Sequence, residues 1–368
     1  MNSSRADSPF RRIVIIGVGV IGGSLGLAIK RRFRNATVVG VDRSSVLKKA
    51  LKKGAIDEGT TNLASAISGS DLVLLAAPVS AIIKMLPKVA KHSGRAIVSD
   101  VGSVKRVIVR TASRLFPRGN FVGGHPMAGV ELSGVDAAHP LLFENAMYVL
   151  TPTRLTPPTA LRRLAHFLKE LGARVVVVDA GIHDEVASAV SHLPQLTAVA
   201  LTNVAGRRHP SSRRHLGLAA GGFRDLTRIA SSRPEIWRDI LSLNSDEIRK
   251  SLGLLIRELA RYRQFLGGRT SALTSRFNSA RKIRAAIPKS MKGFIHPLAE
   301  VYVFVHDRPG MIARMATTLA RARINIKDIE LLKVREGRGG TFRLAFDSRE
   351  VSARATRVLK RAGFEIAE

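Results

Sequence analysis

The 368-residue chain contains no cysteine, which excludes disulfide staples and thiolate catalysis and agrees with a reducing cytosol. A metal site would then need histidines and carboxylates, and neither an H-E-x-x-H pair nor a clustered acidic loop occurs. No uninterrupted apolar run approaches the roughly 20 residues of a membrane span. The opening MNSSRADSPFRR lacks the apolar core of a secretory signal. A soluble cytoplasmic protein with no membrane partner is therefore expected. Acidic residues are scarce, 28 against 60 Lys and Arg, giving a formal charge of +32. Such an excess raises a nucleic-acid hypothesis. Here, however, the cations are spread over the whole chain, and no helix-turn-helix, zinc finger or aromatic-studded RNA-binding strand is present. The charge reads as a solvated basic surface that binds polyanions nonspecifically at low salt. A specific nucleic-acid partner is not expected.

What is present is the composition of a soluble globular protein, with 45% apolar and 24% charged residues, over a length that calls for two or three domains. Residues 1–180 carry the runs IVIIGV, ATVVGVD, DLVLLAAP, RAIVSD, NFVGG, AMYVLT and ARVVVVD, separated by amphipathic stretches. Continuous apolar strands of this kind are buried on both faces, so a doubly wound α/β sheet of the Rossmann type is predicted. Residues 181–267 show no strand-like run and read as an all-helical domain. Residues 268–297, basic and bounded by Gly268, Pro288, Gly293 and Pro297, read as a linker. Residues 298–368 alternate as βαββαβ, a ferredoxin-like unit.

Gly17-Val-Gly19-Val-Ile-Gly22 closes the first predicted strand and opens a helix. Gly17 permits the tight turn, Gly19 lets backbone approach a pyrophosphate, and Gly22 lets helix and strand pack closely. Glycine turns are common, but Asp42 ends the second strand twenty residues after Gly22, where a carboxylate accepts from a ribose diol. That favours NAD. Arg43 beside it suits a 2′-phosphate, so NADP stays open.

Two further motifs follow strand ends, where open α/β sheets bind ligands. They are Asp100-Val-Gly-Ser103-Val-Lys105 and Gly123-Gly-His125-Pro-Met-Ala-Gly129-Val-Glu131. Beyond them come Ser191-His192-Leu-Pro-Gln195, Gly221-Gly-Phe-Arg-Asp-Leu-Thr-Arg228 and Trp237-Arg238-Asp239. Across about residues 12–265 these resemble the prephenate dehydrogenases. The resemblance implies oxidative decarboxylation of prephenate, or of its amino analogue arogenate, with NAD(P), in tyrosine synthesis. It implies His125 as the catalytic base, Ser103 as the residue orienting it, and Arg228 as the arginine holding the side-chain carboxylate. His192 and Gln195 fall at substrate-site positions, and Gln195 stands where several members have histidine. That leaves the choice between the two ring acids open. A homodimer through the helical domain is also implied.

The residue types suit that chemistry. A neutral imidazole can take a hydroxyl proton, and a guanidinium pairs with a carboxylate in bidentate fashion. Each residue also has a plain structural alternative. His125 could bond a carbonyl, Ser103 could cap a helix starting at Val104, His192 could be a satisfied core histidine, and Arg228 one surface arginine among many. Lys105 and Arg238 read as structural ion-pair members. At the C-terminus, Asp307-Arg-Pro-Gly310-Met-Ile and Ala-Arg-Ile-Asn325-Ile-Lys-Asp328-Ile resemble an ACT domain. This implies an amino-acid effector, tyrosine, bound by Asp307, Gly310 and Asn325 where two such units pair; a purely structural add-on is the alternative. The competing readings are a β-hydroxyacid-type dehydrogenase or an imine reductase, which use a lysine or another acid in the helical domain, where only Lys250 occurs. A nucleic-acid-binding protein that keeps a nucleotide fold is the reading from a different class.

Overall fold

The computed structural model describes residues 6–128, 132–207, 216–266, 271–287, 298–335 and 339–367. It divides into two compact units, Met1–Ser275 and Arg276–Glu368. In the first unit one sheet contains β1 (Arg12–Ile16), β2 (Thr37–Val41), β3 (Glu58–Thr60), β4 (Leu72–Leu75), β5 (Ile97–Asp100), β6 (Phe121–Pro126), β7 (Met147–Pro152) and β8 (Arg174–Val177). The spatial order is β3-β2-β1-β4-β5-β6-β7-β8. All neighbours are parallel except β6 and β7. The helices among them are α1 (Val20–Arg32), α2 (Ser44–Lys52), α3 (Leu63–Ile67), α4 (Val79–His92), α5 (Arg106–Leu115) and α6 (Pro158–Glu170).

Every apolar run singled out in the sequence is a strand, and burial explains why. Ile13 and Ile15 join one buried cluster with Leu25, Ile29 and Phe167, while Val14 and Ile16 join another with Ile82, Leu86 and Ile108. Successive side chains of a strand point to opposite faces, so an unbroken apolar run serves a sheet covered on both sides. Each such side chain taken from water contributes about 1.5–3 kcal/mol. The chain builds β1 to β3 outward and then returns to place β4 on the other side of β1. The resulting switch point opens a crevice beyond the C-terminal ends of β1 and β4.

Three details differ from the sequence reading. The short strand β3, Glu-Gly-Thr, has no apolar run to announce it and pairs at the sheet edge with Val39, Gly40 and Val41. β8 is not buried on both faces: it is the terminal strand, and Val176 and Val177 are exposed. The strand carrying NFVGG runs on through His125 and Pro126, because antiparallel β7 pairs Leu150 with Gly124, Val149 with His125 and Tyr148 with Pro126.

After β8, α7 (Ala180–Ala187) is followed by a π-helical turn at Ser188–His192 and then α8 (Leu193–Arg207). Further helices span Gly221–Thr227, Pro234–Leu243 and Ser245–Phe265. Among the described residues no strand occurs between β8 and Ala299. Within 268–297, read as a linker, residues Ser271–Ala286 form a helix. The glycines and prolines of that stretch lie outside those sixteen residues, whose interior holds alanine, arginine and lysine, all good helix formers. No helix of the described residues is long and apolar enough to cross a membrane.

The second unit places β9 (Ala299–Val305), β10 (Asp328–Arg335), β11 (Gly339–Phe346) and β12 (Glu365–Ala367) in the order β10-β11-β9-β12, all antiparallel. Helices Met311–Arg321 and Arg349–Arg361 supply Met315, Leu319, Ala355 and Leu359 to a core with Val303, Leu344 and Phe346. This is the predicted βαββαβ arrangement.

Candidate active site

The glycine turn lies at the switch point. Gly17 follows β1 with φ +92°, and a Cβ there would overlap the Ala76 carbonyl at the end of β4. A Cβ on Gly22 would overlap the Gly17 carbonyl, which is why α1 can pack this close to its strand. A Cβ on Gly19 would meet nothing within 4 Å, so that backbone faces open space. Gly19 is the N-cap of α1, with no side-chain cap and no acidic residue in the first turn. The first amides of α1 therefore present uncompensated N–H groups and the positive end of the helix dipole to that space, which fits a pyrophosphate. Asp42 accepts from Val18 N at 2.8 Å and from Arg43 N at 2.7 Å, which holds its carboxylate at the rim of the turn. The Arg43 side chain is 86% exposed and lies 4.0 Å from that carboxylate. These residues fit a nicotinamide dinucleotide. Among the described residues no group of His, Cys, Asp and Glu could hold a metal ion.

His125 sits farther along the sheet, near the end of β6. Its Nδ1 lies 2.8 Å from Nε2 of His183, whose Nδ1 lies 2.8 Å from Oδ1 of Asp184. Asp184 also accepts from Lys105 N at 2.7 Å and from Arg106 N at 2.9 Å, at the start of α5. Beneath them the Lys105 ammonium is wholly buried. It pairs with Asp100 and donates to the Gly124 carbonyl at 2.7 Å, while Asp100 accepts from Gly102 N and Gly124 N. Lys105 is thus the structural ion-pair member its residue type suggested, clamping the end of β5 to β6 directly behind His125. Burial holds His125 well below the ordinary imidazole range, and His183, Lys105 and His192 push the same way. The imidazole is neutral at pH 7, the form a base needs.

His192 reaches this cluster through the π turn. Pro194 has no N–H to give the helix, and the Leu193 amide instead bonds Ser188 O, the wider spacing of a π turn. In a straight helix, residues eight apart are about 80° apart around the axis. A π turn absorbs about one extra residue, and so turns His192 toward the face that carries Asp184. Asn244 then links the two, its Nδ2 donating to the Asp184 carbonyl at 2.9 Å and to His192 Nδ1 at 3.3 Å. Burial pushes His192 down to about 4, and the Trp237 ring packs edge-on to it at 6.1 Å. Asp239 of the same Trp-Arg-Asp motif accepts from Ser80 N, capping α4 and tying the helical part to the sheet.

The remaining expected residues divide. Gln195 is buried, and its amide donates to Ile229 O at 3.0 Å, bracing the turn that begins at Arg228. Arg228 is exposed. Ser103 is half-buried, but its hydroxyl makes no hydrogen bond within the described residues; the partner of His125 is His183 instead. Ser103 does not cap α5 either, since that helix starts at Arg106 and has no side-chain cap. Gly129 and Glu131 lie outside the described residues. Lys250 is an exposed partner of Glu247. In the second unit Gly310 has φ +83° and opens the Met311–Arg321 helix. Asp307 precedes it in the same turn, whereas Asn325 follows the other end of this eleven-residue helix, which is about 16 Å long.

His183, Asp184 and Asn244 were missed by the sequence reading. The available signal was a His-Asp pair in the short helix that follows the Asp179 cap. Buried polar residues there need partners.

The family model described as the prephenate dehydrogenase nucleotide-binding domain matches residues 25–177, the one described as its dimerization domain matches 179–275, and an ACT domain model matches 299–364. A Bacillus subtilis (strain 168) protein named prephenate dehydrogenase is 39% identical over 363 residues, spanning 96% of this chain and 97% of that one. The chain belongs to the prephenate dehydrogenase family. Among solved structures, the A. aeolicus prephenate dehydrogenase in complex with hydroxyphenyl propionate and NAD+ is similar with a TM-score of 0.70 and 31% identity, over 78% of this chain and all of that one. The Synechocystis arogenate dehydrogenase is similar at 0.65 and 32%, over 74% of this chain and 99% of that one. For this member of the prephenate dehydrogenase family, the buried Asp100–Lys105 pair makes one cost predictable. Lys105→Met leaves Asp100 uncompensated in the interior and is expected to destabilise the protein by about 3–5 kcal/mol, read as a lower midpoint in chemical denaturation. An unchanged midpoint would contradict the reading of Lys105 as the clamp.

Proposed function

We propose that the chain oxidises prephenate with NAD, releasing CO2 and 4-hydroxyphenylpyruvate. The observation that carries this reading is a half-buried, neutral imidazole, His125, with one ring nitrogen engaged by His183 and the other left for a substrate proton. A nicotinamide dinucleotide held by the Gly17–Gly22 turn and Asp42 would supply the acceptor for the hydride at ring C4. His125 accepts the C4 hydroxyl proton as the carbonyl forms. Loss of the ring carboxylate as CO2 returns its electron pair to the ring, and His125 hands the proton back to the phenolate oxygen. Arg228 pairs with the side-chain carboxylate, and His192 and the turn braced by Gln195 line the same substrate. A catalytic lysine of the β-hydroxyacid type has no counterpart in Lys250, which is exposed and paired. His125→Asn is expected to lower kcat by on the order of 10²–10⁴ with the fold intact by circular dichroism. Since the imidazole is held below its ordinary range, the acid limb of kcat/KM is expected below pH 6.5. Wild-type turnover in the asparagine variant would remove His125 as the base.

Arogenate is the second reading, favoured by one observation: Gln195 is uncharged and spends its amide on Ile229 O, which leaves one cation fewer for a dianion. NAD is the cofactor we infer, because the Asp42 carboxylate repels a 2′-phosphate while Arg43 extends into solvent. In side-by-side assays of both acids and both cofactors, Asp42→Ser is expected to move the kcat/KM ratio at least tenfold toward NADP, about 1.4 kcal/mol. A ratio that stays put would count against Asp42 as the selector.

The helical part exposes Val190, Val204, Leu218, Leu226 and Leu254. An apolar surface of this extent suits a homodimer contact, in keeping with the dimerization-domain match. For the second unit we infer tyrosine as effector, bound by Asp307 and Gly310 of one copy and Asn325 of another. Calorimetric titration of tyrosine into the intact protein should give saturable heat that weakens in Asn325→Ala. A flat titration would leave the unit a structural add-on.

A further inference from the structure

The contact between His125 and His183 needs one proton between two nitrogens, and the surroundings decide which ring supplies it. The deciding group is Asp184. Three donors converge on its carboxylate: the Lys105 amide and His183 Nδ1 on Oδ1, and the Arg106 amide on Oδ2. The two amides belong to the N-cap and the first residue of α5, where the helix dipole also favours negative charge. Asp184 is thus an acceptor on every side. His183 must carry its hydrogen on Nδ1 to meet it, and a neutral ring then has only a lone pair on Nε2. That lone pair faces His125 Nδ1 at 2.8 Å, so His125 donates. With Nδ1 protonated, the neutral His125 ring has its lone pair on Nε2.

We infer that His183 and Asp184 are positioning residues that lock His125 into the tautomer with an unprotonated Nε2, presenting the only nitrogen able to take the substrate's proton. The logic is that of a carboxylate orienting a catalytic imidazole, with a second imidazole inserted between them. The geometry is rigid at each joint: His183 and Asp184 are buried on the first turns of α7, capped by Asp179, while His125 is fixed by the β6–β7 pairing. Other groups facing the pair are Lys105 and Asp100 from the β5–α5 connection, and His192 with Asn244 from the π turn and its neighbour. None of these lies within hydrogen-bond distance of His125 Nδ1, so the tautomer is set through His183.

The inference rests on His125 being the base of the reaction proposed above, but it can be read without turnover. Neutron diffraction from deuterium-exchanged crystals at neutral pH should show deuterium on His125 Nδ1 and His183 Nδ1, and none on His125 Nε2. Deuterium on His125 Nε2 would overturn the relay, whatever the enzyme oxidises. A wild-type protein that turns over neither ring acid would instead overturn the reaction and leave the tautomer standing. Kinetically, Asp184→Asn replaces an acceptor with a group that can donate, which frees His183 to place its proton on Nε2. The expected result is a kcat lower by on the order of 10²–10⁴, with KM for the ring acid within about twofold. Loss of the carboxylate also removes a negative charge near the His125 ring, so the acid limb of kcat/KM should move to lower pH. A fall in kcat with the limb unmoved would mark Asp184 as merely structural and overturn the assignment.

Discussion

The arrangement of the site depends on one carboxylate. Asp184 sits on a helix of the C-terminal half of the first unit, yet its oxygens are satisfied by amides at the start of α5, a helix of the sheet domain. The same group orients His183 and, through its carbonyl and Asn244, the buried His192. A single acceptor thus fixes the angle between two structural layers and the orientation of the imidazole that faces the crevice. Hydrogen bonds to a charged group contribute about 1.5–3 kcal/mol each when buried, so the joint holds firmly while using few atoms.

Behind it lies a second constraint of opposite character. Lys105 and Asp100 are both removed from water, which costs several kcal/mol per ion before their attraction is counted. Their geometry offsets this: the ammonium also meets the Gly124 carbonyl, and the carboxylate meets the Gly102 and Gly124 amides. Burial is what chiefly keeps the His125 ring from protonating, and the positive charge of Lys105 pushes the same way. Glycine at 124 is obligatory, since a Cβ would overlap the Asp100 carbonyl.

Much of this is legible in the sequence. The period of the apolar runs gave the sheet, because strands buried on both faces must be apolar throughout. The glycine turn and Asp42 marked the crevice by spacing alone. The β9–β12 unit followed from alternating strand and helix signals. The short β3 was illegible because an edge strand of Glu-Gly-Thr carries no burial pattern. The Ser271–Ala286 helix was masked by a basic composition that linkers share. The role expected of Ser103 in orienting His125 has a different candidate in the structure, since His183 holds Nδ1 of that ring.

By itself the sequence determined which residue types were available and where local geometry was forced: glycines where no Cβ fits, a proline that breaks the i→i−4 ladder beside His192, and apolar runs that must be covered. Only the tertiary structure decided which of the chain's ten histidines meet. His125 and His183 are 58 residues apart, and their contact depends on β6 and α7 arriving side by side. No local pattern encodes this, because a hydrogen bond between distant residues follows from packing rather than from spacing.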